Sequence, residues 1–569
     1  MKRLFYTLLF FLPCMLIACG GSDDTPDGDN NPPVVAPPCE EPVDSRLLYN
    51  GIRLPEQWPP VRSSSSELEK GMSPFYLSDK PSVINISVGR QLFVDNFLIE
   101  STNLKRTFYY PEYYSGNPIL TPEQDWEKTG TKGAAFAAPF SDGVWYDEKE
   151  GKYKMWYMAG GGSYATSGAG VTCYAESTDG IHWTKPTLSV VAGTNIVDYN
   201  SERDASVIWL DKQESNASKR YKMFLVARES GKWRYHYKTS PDGKVWRAAV
   251  QSEPIADRST VYKNPFRNVW VYSMRHNVRV DANKLVRARD YNENTDPEAG
   301  TKKAEALLSA FWFGPWANEQ HHTDYPNIAP AIYNQDATPY ESIMLGFFSV
   351  WQGPENDVCA SDNVIKRNQV MVGYSRDGYS WFREDMNPFH AVNTTTSDAW
   401  NQGNLQSVAG APLIVGDKLF YLSGRRLRGT QEITTTGLAM LRRDGFASMK
   451  GTGELQTSLL KFDGSYFFVN ANVTGEMKVE LLDPNNKVIE GFSKDECKAF
   501  KGDNVKARIE WTGNASLASL KNKQLKVKFY IDNGEIFAFW ISPSANGESM
   551  GYTAGGGPGL NISGIDKTN

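Results

Sequence analysis

One phrase, said three times, constrains this chain more than anything else in it. It reads Ser177-Thr178-Asp179-Gly180-Ile181-His182-Trp183, then Ser240-Pro241-Asp242-Gly243-Lys244-Val245-Trp246, then Ser375-Arg376-Asp377-Gly378-Tyr379-Ser380-Trp381. An aromatic and apolar run precedes each copy, Asp-Gly supplies the positive-φ positions of a tight hairpin turn, and the Trp opens the returning strand. The copies begin 63 and 135 residues apart, and 135 is close to twice 67, so a degenerate copy is expected between the second and third. A repeat of this length is one four-stranded propeller blade.

The segment that precedes the repeats divides into a leader and a tether. Lys2 and Arg3 stand before the apolar run Leu4 to Ala18, which is shorter than the roughly 20 residues a membrane-spanning helix needs. It ends Leu16-Ile17-Ala18-Cys19-Gly20, which resembles the lipobox of a bacterial lipoprotein, with cleavage before Cys19 and a lipid on that cysteine. Gly21-Ser22-Asp23-Asp24 is similar to the acidic export tag of surface lipoproteins in Bacteroidota. Residues 1–18 are therefore expected to be a lipoprotein signal, and residues 19–84 a flexible tether and lead-in rich in Pro, Asp and Asn. The implied location is the cell envelope, anchored through Cys19 to the outer membrane at its periplasmic face or the cell surface.

Removal of residues 1–18 moves the net charge from −5 to −7. A mildly acidic chain is a poor partner for nucleic acid or anionic lipid surfaces. Cys39, Cys173, Cys359 and Cys497 show no metal-ligand spacing; they read mostly as buried or free thiols, and no metal or cofactor is expected.

Between residues 85 and 445, short strand-like runs alternate with Gly, Asn and Asp turns, with no long helical periodicity. Blade openings are expected near Ala137–Gly143, at Arg203-Asp204, at Asp257-Arg258, near Tyr340-Glu341 and near Gly403-Asn404, which makes five blades. From 446 to 569, runs such as Met477-Lys478-Val479-Glu480-Leu481 and Ile536-Phe537-Ala538-Phe539-Trp540 alternate at period two, and predict a β-sandwich. The expected fold is all-β: a five-bladed propeller followed by a C-terminal sandwich.

Four blade openings carry an acid: Asp142, Asp204, Asp257 and Glu341, with Arg203 and Arg258 beside two of them. Carboxylates gathered in a concave site raise one another's pKa, so one can donate a proton near neutral pH while another stays ionised. That is the equipment of glycoside hydrolysis. The repeat, the Arg203-Asp204 opening and the sandwich together resemble the five-bladed propeller glycosidases, glycoside hydrolase families 43 and 32. Family 32 has an Arg-Asp-Pro motif whose Asp stabilises the transition state; Arg203-Asp204 match it, with Ala205 for the proline. Tyr340-Glu341-Ser342 is a loose counterpart of the family's acid, one blade further on. The first-blade motif Asn-Asp-Pro-Asn-Gly is missing, and Pro139-Phe140-Ser141-Asp142-Gly143 stands there, the mark of a divergent branch. The repeated phrase is similar to the Asp-box of sialidases, one residue shorter between Asp and Gly; a sialidase would further need three clustered arginines and a Tyr-Glu pair.

The resemblance implies Asp142, Asp204 and Glu341 as the catalytic carboxylates. Arg203, Asp257, Arg258, Arg275, His321 and Trp316 are the expected substrate contacts. His321 and Trp316 lie in a Trp-rich loop of the kind that stacks on sugar rings over a channel mouth, and Asp95 is a further acid that either closes the propeller or lines its mouth. The implied activity is exo-acting hydrolysis of a polysaccharide or its oligosaccharides, with xylose, arabinose or fructose as the first sugars to test. The rival is a non-catalytic glycan-binding lipoprotein on the same propeller.

Overall fold

Among the described residues the apolar runs between 112 and 442 become strands, and these gather into five mainly antiparallel blades. In the computed structural model the described residues are 45–128, 135–165, 170–199, 202–280, 284–395, 399–428, 432–513 and 516–568; the leader, Cys19 and Cys39 lie outside them. The first blade runs from a split inner strand, Ala135–Ala138 with Val144–Asp147, through Lys152–Ala159 and Val171–Ser177 to Ile196–Asp198. The second is Glu202–Leu210, Tyr221–Glu229, Lys232–Ser240 and Arg247–Gln251. The third is Thr260–Asn264, Val269–Arg279, Leu285–Asn294 and Ala310–Phe313. The fourth is Ala331–Glu341, Ile343–Gly353 and Arg367–Ser375, edged by bridges from Phe382 and His390. The fifth has a split inner strand, Asn404–Val408 with Leu413–Val415, then Lys418–Arg428 and Glu432–Arg442. Its fourth strand is Glu112–Tyr113 from far upstream, pairing Tyr113 with Ala439. The fifth blade is thus completed by a strand from the N-terminal side of the chain.

The repeated phrase builds the same turn each time. Ser177, Ser240 and Ser375 accept the amide of the glycine three residues on, at 2.9, 2.9 and 2.8 Å. Asp179, Asp242 and Asp377 accept the two amides that follow, at 2.7–3.1 Å. Only the glycine takes positive φ, at 77°, 78° and 74°, so the two-residue hairpin reading is corrected to an Asp-anchored turn. These turns clamp the preceding blade. Trp156 of the first blade donates to the Gly243 carbonyl at 2.6 Å, and Asn264 of the third donates to Asp377 at 2.9 Å. The degenerate copy is Asn294-Thr295-Asp296 in the third blade, where Asp296 caps the short helix Pro297–Lys303.

The C-terminal sandwich is one seven-stranded sheet whose long strands, Tyr466–Leu482 and Lys526–Ser542, bend at β-bulges. They pack around Phe467, Trp511, Phe529 and Phe539. The lead-in strands Ile99–Thr102 and Lys105–Phe108 add to this sheet by pairing with Ala447–Thr457, and Gln91–Leu92 pairs with Lys526–Ser542. Residues 85–108, expected in the propeller, therefore belong to the sandwich. Asp95 neither closes the propeller nor lines its mouth; it is buried in a bidentate pair with Arg376 at 2.8–3.1 Å. Cys173 and Cys497 are buried thiols.

Candidate functional site

The inner strands begin at one mouth of the channel, and the cross-blade bonds made there define a cluster. Asp204, near the start of Glu202–Leu210, accepts the backbone amide of Arg258 at 3.0 Å. That amide precedes the third inner strand and is turned toward its neighbour because Arg258 adopts φ 57°, an uncommon conformation for a residue with a side chain. Asp257, one residue earlier, pairs with Arg275 at 2.5 Å and keeps 24% of its side chain exposed. Burial pushes the Asp257 carboxyl up, the neighbouring Asp204 charge pushes the same way, and Arg275, Arg258 and Arg287 pull it back; the net direction is upward. Two carboxylates at adjacent blade openings, one of them biased toward its acid form, form the chemical centre of the cluster.

Arginines and one tyrosine surround this pair. The fully buried Arg258 guanidinium lies 3.8 Å over the Phe140 ring and 5.2 Å from that of Tyr333, and donates to the Gln406 carbonyl of the fifth blade at 2.8 Å. Among the described residues its Nε and Nη1 have no hydrogen-bond partner. Arg287 stands 5.7 Å from the Tyr333 ring and 4.7 Å from that of Trp351, pairing outward with Glu355 at 3.0 Å. Beneath them Arg289, fully buried, donates to the Arg258 carbonyl at 3.0 Å and to Ser273 Oγ at 2.9 Å. Burial, together with the Arg258 and Arg275 charges, brings Arg289 down to about 10. Asp336, on the wall of the channel, accepts from Asn334 at 3.0 Å, and burial pushes it up to about 6.

Of the residues expected from sequence, Asp204, Asp257, Arg258 and Arg275 are brought together. Arg203 and Asp142 lie beneath as a clasp between the first two blades, at 2.7 Å, with Asp142 also accepting the Phe140 amide at 2.6 Å. Asp142 has no exposed surface, so its expected role as a catalytic carboxylate is corrected to that of a buried partner for Arg203. Burial pushes its carboxyl up, and Arg203 opposes that.

Glu341 is placed elsewhere. It ends the inner strand Ala331–Glu341 instead of opening it, and so lies at the opposite mouth, where the strand meets Tyr552. There it is fully buried, accepting from Ser549 Oγ at 2.6 Å and Arg443 at 3.1 Å, with Arg90 at 3.5 Å. Trp316 is corrected too: it is buried against Phe313 and Phe348 under Arg383, not offered to a sugar. His321 is exposed on the loop before Ala331–Glu341, its Nδ1 2.8 Å from the Pro326 carbonyl, and no contact among the described residues ties it to the cluster. Arg287, Arg289, Tyr333 and Asp336 join the cluster with no expectation from the sequence behind them. Their signal was present as arginines at period two in Leu285-Val286-Arg287-Ala288-Arg289, and as polar residues in a run, Tyr333–Asp336, that precedes an apolar one.

No protein-family model matches the chain, and no curated protein matches it. Among solved structures it is similar to a glycosyl hydrolase from Bacteroides ovatus, at 12% identity and TM-score 0.36, over 62% of this chain and 97% of that one. It is also similar to a fructofuranosidase from Schwanniomyces occidentalis solved with fructose, at 10% identity and TM-score 0.36, over 76% of this chain and 97% of that one.

Proposed function

We propose that this protein is a glycoside hydrolase that removes terminal sugars from a polysaccharide or its oligosaccharides, with Asp204 and Asp257 as the working carboxylates. The observation that supports it is their pairing at adjacent blade openings, where one carboxyl is raised by burial and by its neighbour while both keep access to the mouth. Asp257 gives its proton to the glycosidic oxygen as the bond from that oxygen to the sugar carbon breaks. Asp204, oriented by the Arg258 amide, takes a proton from the water that adds to that carbon. A blade-ringed mouth accepts a chain end more readily than a chain interior, which favours exo action. Xylosides, arabinofuranosides and fructosides are the first substrates to test. Anchoring to the outer membrane through Cys19 would hold the enzyme where polysaccharide arrives.

A second reading, a non-catalytic glycan-binding protein, draws on one specific contact. The 2.5 Å pair with Arg275 favours the ionised form of Asp257 and so opposes a proton donor. Release of reducing sugar from nitrophenyl glycosides and plant or algal polysaccharides separates the two. Turnover is expected for at least one terminal sugar; no turnover with retained glycan binding would favour the second reading.

A further inference from the structure

At the far ends of the fifth-blade strands, away from the carboxylates, the propeller and the sandwich enclose a cleft of about 670 Å³. Its walls come from the hairpin at Asp417 and Lys418, the end of Glu432–Arg442, the lead-in Tyr109–Glu112 and the sandwich residues Asn472, Asp503 and Phe537. Blade strands here run up to 11 residues, which sets the cleft on the order of 30 Å from the carboxylate mouth. The volume lies within the roughly 300–1,000 Å³ of ligand clefts.

The lining has two kinds of surface. The rings that reach the cleft are Tyr109, half-buried and backed by the buried Phe537 at 5.7 Å between centroids, and Tyr110, which is 40% exposed at the rim. Arg442 lies 4.8 Å from the Phe537 ring, fixed by Asn470 at 2.8 and 2.9 Å and by Asp503 at 2.5 Å. Glu112, Asp417 and Asn472 are exposed, and their side chains have no partner among the described residues. Two tyrosine rings beside a rigidly held arginine and uncommitted carboxylate and amide groups suit a molecule with apolar C–H faces and a fringe of hydroxyls that both donate and accept. Four lining carboxylates, Glu112, Asp417, Asp503 and Glu535, face two cations, Lys418 and Arg442, which disfavours an anionic ligand.

We propose that this cleft is a second binding site, for a neutral oligosaccharide segment of a polysaccharide, that holds the polymer while the carboxylate mouth works on its end. The role of the polymer as substrate rests on the glycosidase reading; the binding itself does not. The test is affinity gel electrophoresis in gels cast with arabinoxylan, arabinan, inulin or levan, run with the Asp204→Asn, Asp257→Asn double variant so that the polymer survives. The double variant should be retarded by at least one polymer. Adding Tyr110→Ala or Asn472→Lys should weaken that retention about tenfold, or roughly 1.4 kcal/mol. Asn472→Lys sits on an exposed position, so loss of folding does not confound it; thermal melting of each variant checks this. Retention unchanged by both substitutions would overturn the proposal, as would no retention in any gel. Turnover by the parent chain with retention insensitive to the cleft would overturn it while leaving the glycosidase reading in place.

Discussion

Replacing Asp336 by Asn should stabilise the protein at neutral pH and flatten the pH slope expected of the parent chain. Burial holds the Asp336 carboxyl at about 6 against an ordinary 3.8. A carboxyl raised on folding binds its proton more tightly in the folded state, so its penalty is absent below about pH 4, grows between pH 4 and 6, and is complete above 6. The gap of about 2 units corresponds to roughly 3 kcal/mol. For a folded unit spanning Arg46–Asn569, about 520 residues at about 2.1 cal/mol/K each, the melting entropy is near 1.1 kcal/mol/K, so 3 kcal/mol is worth about 3 °C. Asn keeps an acceptor for the Asn334 and Ser141 side chains. Thermal melting of parent and Asp336→Asn at pH 4 and pH 7.5 reads the effect as a difference of differences, in which Asp142, Asp257 and Glu341 titrate in both proteins and cancel. The variant should gain about 3 °C on the parent in going from pH 4 to 7.5. An offset that is the same at both pH values, or that moves against the variant as pH rises, would refute the reasoning.

Three further outcomes follow from buried contacts. Arg203→Ala strands the fully buried Asp142 without its cation and should cost on the order of 3–5 kcal/mol in denaturant melts. Burial outweighs the pull of Arg90 and Arg443 and holds the Glu341 carboxyl above its ordinary range, and those arginines keep Asp444 at 2.8 Å and Asp566 at 3.5 Å, so Glu341→Gln should melt no lower than the parent at neutral pH, read by the same melts. Gly378→Ala puts a Cβ 2.1 Å from the Asn264 amide at φ +74°, whereas at Gly231, φ +80°, no atom of the described residues lies within 4 Å; the melting temperature should fall much further for Gly378→Ala than for Gly231→Ala.

The blade count was legible because each Ser-x-Asp-Gly turn is local: its bonds join residues two or three apart, so the sequence carries the whole motif. Asp204, Asp257 and Arg258 were legible for a related reason, since a charged pair just before an apolar inner strand has few places to go but the mouth. Glu341 was misread because Ala331–Glu341 and Ile343–Gly353 are both buried on nearly every residue. Without alternation nothing marks where one strand stops, so a reading of the sequence alone places the blade opening at its second strand. The place of residues 85–108 in the sandwich is not legible locally, because their pairing is with strands more than 300 residues away, which no local pattern reports. Trp316 looked like a stacking platform in one dimension, and the ring is covered in three by Gly71, where a Cβ would sit 2.3 Å from it.

The central claim is that Asp204 and Asp257 perform hydrolysis and Glu341 does not. It is tested most directly by the turnover rate of Asp204→Asn, Asp257→Asn and Glu341→Gln on one substrate that the parent chain cleaves, corrected for the folded fraction. Each aspartate variant should lose on the order of 10²–10⁴-fold, the range for removing an acid or base, while Glu341→Gln keeps the parent rate per folded molecule. Parent-like turnover in either aspartate variant, or a folded Glu341→Gln protein that is inactive, would contradict the account.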